Sequence, residues 1–159
     1  MKIISFAVIK GVLGDEYGKR GTEFIKDMPT FSMPFSIMDA PKETKTFAFI
    51  LEDKEAAEGE FVHWICANLK KLSVEEDESK VAKFIQGANS WHEKCGFAKE
   101  EASRYGGPAP EDAEHTYVLT VYALDVELDV ENGFSKEELM EKVEGHILAI
   151  GKLSGRYAN

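Results

Sequence analysis

Three apolar segments limit the fold more than any other feature of this chain. Thr44–Leu51, Phe61–Ala67 and Thr116–Leu124 are dense in aromatic and β-branched residues and too short for helices, so each reads as a strand. In the first, Phe47, Phe49 and Leu51 share a face, and Asp53 continues that face beyond the strand end. The second is apolar on both sides, with Phe61, His63 and Ile65 on one face and Val62, Trp64 and Cys66 on the other. The third has the same two-sided character. Strands apolar on both faces are covered on both faces. The expectation is a mainly β protein, a single domain over residues 1–159, since no repeat or long linker divides the 159 residues.

Weaker signals fill in the rest. Ile3–Lys10 and Phe35–Met38 read as further strands, with Pro29, Pro34 and Pro41 restricting the intervening chain to turns and edges. Ile3–Ile9 is apolar apart from Ser5, but it is short for a secretory segment, is closed by Lys10 and has no small-x-small cleavage pattern. Ser73–Gln86 reads as a helix with Val81, Phe84 and Ile85 as its stripe, ended by Gly87 and Asn89. A C-terminal helix is expected from Ser135, whose spacing to Glu138 fits a capping box. Leu139, Val143, His146, Ile147 and Ile150 then recur at helical spacing, with Gly151 or Gly155 to close it.

Charge narrows the function classes. The formal net charge is -10 and there is no Lys/Arg-rich run, which argues against nucleic acid and against an anionic membrane surface. No apolar run approaches the roughly 20 residues of a membrane span. Cys66 and Cys95 allow one disulfide at most; with no leader recognised, free thiols and a cytoplasmic location are expected.

The residues out of place are polar ones on apolar strands. His63 lies among buried-type neighbours, and an unpartnered imidazole there would cost on the order of 1–3 kcal/mol, so a polar group must meet it. A backbone carbonyl would suffice; a ligand is the alternative. His115 and Tyr117, two apart, project from one strand face. Before them runs Tyr105-Gly106-Gly107-Pro108-Ala109-Pro110, which permits close backbone approach and few conformations. If the three strands are neighbours, Asp53 meets both histidines and favours their charged forms. Asp53, His63, His115 and Tyr117 would then hold a small anion through local hydrogen bonds, against the field of an acidic molecule.

At these residues the sequence resembles the phosphatidylethanolamine-binding protein family, in its prokaryotic Raf-kinase-inhibitor-like branch. The likeness runs in order through Leu51–Ala56, His63-Trp64 with Cys66–Leu69, Gln86–Ser90, Tyr105–Pro110, His115-x-Tyr117, Val121–Asp125 and His146–Tyr157. It implies a large central β-sheet packed with a smaller sheet in a β-sandwich, peripheral helices and a C-terminal helix. It also implies a pocket for phosphate or phospholipid-headgroup oxygens, formed by the side chains of Asp53, His63, His115 and Tyr117 with backbone from Gly107. The sequence departs from the family pattern at Lys54, Glu55 and Ala57. Ala57 replaces a proline that is often cis, so a trans loop is expected there. Ala109 removes a candidate metal or redox ligand. Trp91–Ser103 is longer than usual and is expected to shape the pocket rim.

The resulting expectation is a small-anion-binding protein without cofactor or catalytic residue, with a protein partner such as a kinase implied by the resemblance. One rival is a metal-assisted enzyme, in which two His and one Asp form a facial triad. Another is an interaction protein with a vestigial pocket, homodimeric through aromatics such as Phe31, Phe35, Trp91 and Phe97. Ser90 and Ser103 lack an identifiable base, and His92-x-x-Cys95 is half a zinc motif. Trp64 is expected to face away from His63 and pack in the core.

Overall fold

Alternation of apolar residues makes strands only where neighbouring strands can receive them, and this chain supplies twelve. The computed structural model describes residues 1–159. Its strands are β1 (Lys2–Ile4), β2 (Val8–Ile9), β3 (Val12–Leu13), β4 (Phe24–Ile25), β5 (Met28–Pro29), β6 (Phe35–Met38), β7 (Thr46–Asp53), β8 (Phe61–Leu69), β9 (Ser73–Val74), β10 (Ile85–Gln86), β11 (His115–Leu124) and β12 (Ile147–Tyr157). Three short helices accompany them: α1 (Ser90–Cys95), α2 (Lys99–Ala102) and α3 (Lys136–Val143). The large sheet has the order β10-β8-β7-β11-β12-β3-β2, and a three-stranded sheet has the order β1-β6-β9. The three strong sequence segments are therefore the adjacent strands β8, β7 and β11.

The main core lies between the two sheets. Ile3, Phe35, Ile37 and Val74 of the small sheet pack on Phe47, Phe49, Leu51, Trp64 and Leu119 of the large one. Phe49 meets Phe35, Trp64 and Phe84 edge-on at centroid distances of 5.0, 5.0 and 5.6 Å, contacts that add about 0.5–1.5 kcal/mol each beyond burial. The opposite face of the large sheet presents Ala48, Ile50, Val62 and Ile65 to Phe134, Leu139 and Val143. The mainly β architecture of a large sheet with a smaller one packed on it is as the sequence led us to expect.

Two helical expectations are corrected. Ser73–Gln86 is not a helix: it holds β9, a 3-10 turn at Glu78–Val81, and β10. Both strands find edges to pair with, at β6 and β8, and such tertiary pairing overrides a weak local propensity. The C-terminal helix starts as expected, with the Ser135 hydroxyl accepting the Glu138 amide at 3.1 Å, but α3 ends at Val143. Gly145 at φ 81° turns the chain. His146 leads into β12, which pairs with β11 from Tyr157 opposite His115 to Ile147 opposite Leu124. Ile147 and Ile150 fit either period; a ladder of that length decides for the strand. The expected strand Ile3–Lys10 is likewise interrupted, forming β1 and β2.

The feature that positions the site is a bulge in β8. Leu51 stands opposite Trp64 and Glu52 opposite Val62, so His63 is an extra residue between them. The bulge resets the two-residue period. Trp64 falls on the main-core side with Leu51, and Ile65 joins the second core with Val62. His63 also lies on the main-core side, with its ring 5.2 Å from that of Tyr117. Trp64 therefore does not face away from His63, and Ile65 does not share its face, contrary to simple alternation. Trp64 is nonetheless a core residue, fully buried, and its indole donates to Gln86 Oε1 at 2.9 Å.

Candidate functional site

Adjacent strands β7, β8 and β11 deliver Asp53, His63, His115 and Tyr117 to one cavity of about 590 Å³ at the sheet end. Asp53 pairs directly with Tyr117 across the β7–β11 ladder. The Tyr117 ring stands near both imidazoles, 5.2 Å from His63 and 6.5 Å from His115. All four side chains form the floor; His115, the most accessible, is 8% exposed. Phe61, Trp91, Cys95 and the Ala109–Asp112 segment make the walls. Trp91 and Cys95 belong to α1, so the long segment does shape the rim. Its Trp91, Phe97 and Ala102 pack with Met28 as a third small core.

The two histidines are biased toward different charge states. His115 donates from Nδ1 to Asp53 Oδ2 at 2.6 Å, and its Nε2 lies 2.9 Å from Asp112 Oδ1, at ion-pair distance. A carboxylate beside each nitrogen favours the imidazolium. The hydrogen bond to Asp53 raises its pKa against a smaller opposing effect of burial. His63 donates from Nδ1 to the Gly106 carbonyl at 2.6 Å, and burial depresses its pKa to about 4. A carbonyl only accepts, so Nδ1 holds the single proton and Nε2 is a bare acceptor with no partner in the fold. The expectation that both imidazoles are biased to the charged form is corrected: Asp53 bonds one and merely neighbours the other. Burial also pushes the Tyr117 phenol up, with the Asp53 charge adding to it, so it stays a protonated donor.

Gly107 does not line the cavity. Its amide donates to the Pro29 carbonyl at 2.8 Å, and a Cβ there would lie 2.2 Å from the Tyr17 carbonyl oxygen. The glycine is required there for close packing, and its backbone lies beside the buried His63 ring rather than among the residues that line the cavity. The loop acts through Gly106, whose amide and carbonyl both bond to His63, at 2.8 and 2.6 Å.

Other candidates resolve locally. No group of three His, Cys, Asp or Glu is arranged to hold a metal. Asp53 is engaged by His115 and, at 2.8 Å, by the Glu55 amide. His92 bonds the Phe97 carbonyl at 2.7 Å. The Ser90 hydroxyl accepts the Val62 amide, and Ser103 donates to the Lys99 carbonyl, each at 2.7 Å. Both cysteines are free thiols.

With the pocket described, the chain can be set against known proteins. Residues 5–158 match the model of the phosphatidylethanolamine-binding protein family. The chain belongs to that family. A UPF0098 protein of Chlamydia muridarum is 38% identical over 131 residues, covering 79% of this chain and 81% of the relative. One from Methanothermobacter thermautotrophicus is 32% identical over 145 residues, covering 90% and 93%. A phosphatidylethanolamine-binding protein homologue of Chlamydia trachomatis superposes with a TM-score of 0.82 at 31% identity, covering 99% of this chain and 97% of the other. YbcL of E. coli shares the fold, with a TM-score of 0.79 at 20% identity over 98% and 96%. No helix of this family member is long and apolar enough to cross a membrane.

The sequence reading missed the charged rim. Lys19, Asp27, Glu111 and Asp112 all line the cavity, and only Asp112, three residues before His115, had any positional hint. A second cavity of about 610 Å³ opens at the other end of β8, lined by Asn68, Leu69 and Phe84 with Lys70, Lys71 and Lys83 around them.

Proposed function

We propose that this phosphatidylethanolamine-binding protein family member binds a small oxyanion of the phosphate-monoester class on the floor formed by His63, His115 and Tyr117. The observation that carries the reading is the unequal histidine pair. His115, charged and held by Asp53, offers a charge-assisted donor. Neutral His63 offers Nε2 as an acceptor. An oxyanion that retains one O–H satisfies both, accepting from His115 and donating to His63. A singly protonated phosphate fits this pattern; sulfate, with no proton at neutral pH, does not.

Binding is favoured over turnover. Cys95 lines the cavity, but burial and the carboxylates of Asp27 and Glu58 push its thiol up, which opposes a thiolate nucleophile. A protein partner, including a kinase, would be read through a phosphorylated side chain delivered to the same floor.

The test is an NMR titration of the histidine ring signals with inorganic phosphate and, separately, sulfate at pH 6. Phosphate is expected to shift both rings and to bind about tenfold more tightly than sulfate, and His115→Ala to abolish both responses with the fold retained. Equal affinity for the two anions would remove the acceptor role of His63. Phosphate binding that survives His115→Ala would remove the site.

A further inference from the structure

The donor that an incoming oxyanion needs is already occupied. His115 Nε2, the ring nitrogen that Asp53 leaves available, has Asp112 Oδ1 beside it at 2.9 Å, at ion-pair distance. The two carboxylates on this ring are built differently. Asp53 sits at the end of β7, 3% exposed, with its second oxygen fixed by the Glu55 amide. Asp112 lies between Pro110 and His115 in a bend without regular structure, where Glu111, Asp112, Ala113 and Glu114 are all exposed. Its side chain is 63% exposed, against 10% for His115. Rotation about its own side-chain bonds would release the nitrogen without disturbing the strand.

We propose that Asp112 is an intramolecular latch on the anion pocket, a carboxylate that occupies the oxyanion position on His115 and must swing out before a ligand can take it. The proposal rests on the reading of the cavity as an oxyanion site. Because the carboxylate is tethered three residues from the ring it pairs with, it competes at the high effective concentration of a short linker. A free anion must exceed that competition, so the latch sets a threshold of affinity. The ionised state of the latch is secure: its own backbone amide, the Ala113 amide and His115 hold the Asp112 carboxyl below the usual range. Lys19 is the only lysine or arginine at the cavity, and its ammonium is bonded to the Pro110 carbonyl at 2.5 Å, so it does not draw Asp112 away.

The experiment uses the full chain and inorganic phosphate, followed by the His115 ring signals in wild type, Asp112→Ala, Asp112→Glu and Glu114→Gln. Glu114→Gln removes the same charge two residues along, from a side chain that faces Arg156 at 3.9 Å and does not touch His115. Asp112→Ala is expected to tighten phosphate binding about tenfold and, without ligand, to lower the His115 pKa. Asp112→Glu is expected to keep much of the wild-type weakness, and Glu114→Gln to change affinity less than twofold. An unchanged His115 pKa in Asp112→Ala, or an equal gain in Glu114→Gln, would overturn the latch while leaving phosphate binding at His115 intact. If no variant shows a phosphate-dependent shift of His115, the oxyanion reading itself fails, and the latch with it.

Discussion

The two ends of β8 carry the same backbone irregularity and make opposite use of it. At one end His63 is the extra residue; at the other, Phe47 stands opposite Leu69 and Phe49 opposite Cys66, which leaves Asn68 extra at φ 61°. The Asn68 amide is fully engaged. Its Nδ2 donates to the Leu128 carbonyl and its Oδ1 accepts the Leu128 amide, both at 2.8 Å, tying β8 to the chain beyond β11. His63 is engaged on one side only. Each bulge borders a cavity, and the volumes are alike, about 590 and 610 Å³. Cavity size therefore does not mark the functional end. What does is a ring nitrogen of a cavity-lining histidine that makes no hydrogen bond within the protein, beside a held charge.

The largest way to separate the two ends is acid. His63 has a folded value of about 4 against an ordinary 6.5. A depressed value means that its contribution to stability is complete above 6.5 and is lost as pH falls toward 4, because only the unfolded chain takes up the proton. At 1.36 kcal/mol per unit the loss is roughly 3 kcal/mol. Urea denaturation at pH 7 and pH 4.5 should show this slope in wild type and in Asn68→Ala, and a flattened slope in His63→Asn. A retained slope in His63→Asn would break the contrast. His115 works in the other direction: its raised value makes its contribution complete below 6.5 and lost as pH climbs through the elevated value.

Next in size is the structural end itself. Asn68→Ala leaves two Leu128 backbone groups unpaired and places Ala at positive φ. The expected destabilisation is about 2–3 kcal/mol at pH 7, with phosphate affinity at the histidine end unchanged. A weakened phosphate response in this variant would mean that the two bulges are coupled through β8.

The smallest effect sharpens the comparison from the lysine side. Lys70 and Glu127 form an exposed ion pair at 3.1 Å beside the second cavity, both side chains about 60% exposed. A double-mutant cycle should give a coupling below about 0.5 kcal/mol that fades with added salt. A coupling above 1 kcal/mol would show that this end, too, holds its charges in an organised site.

How far the sequence could be read depended on the range of the forces involved. His115 and Tyr117 were placed on one face correctly because two residues within an unbroken strand obey a local geometric rule. His63 and Trp64 were not, because a bulge is set by how β8 registers against β7. The same holds for residues 146–157, whose apolar spacing suited a helix until β11 offered a partner along its length. Asp112 left almost no trace, since a polar residue in a polar loop looks alike whether or not it meets a buried imidazole.

By itself the sequence determined the strongest strands, the family, and the four side chains on the cavity floor, because alternation, burial and residue chemistry act over a few neighbours. Only the tertiary structure decided that one histidine is biased toward the charged form and the other toward the neutral one. It also decided that Gly107 faces inward packing and that a carboxylate already rests on His115. Each of these follows from which atom lies within 3 Å of another across the sheet, and that is fixed by register and burial rather than by local order along the chain.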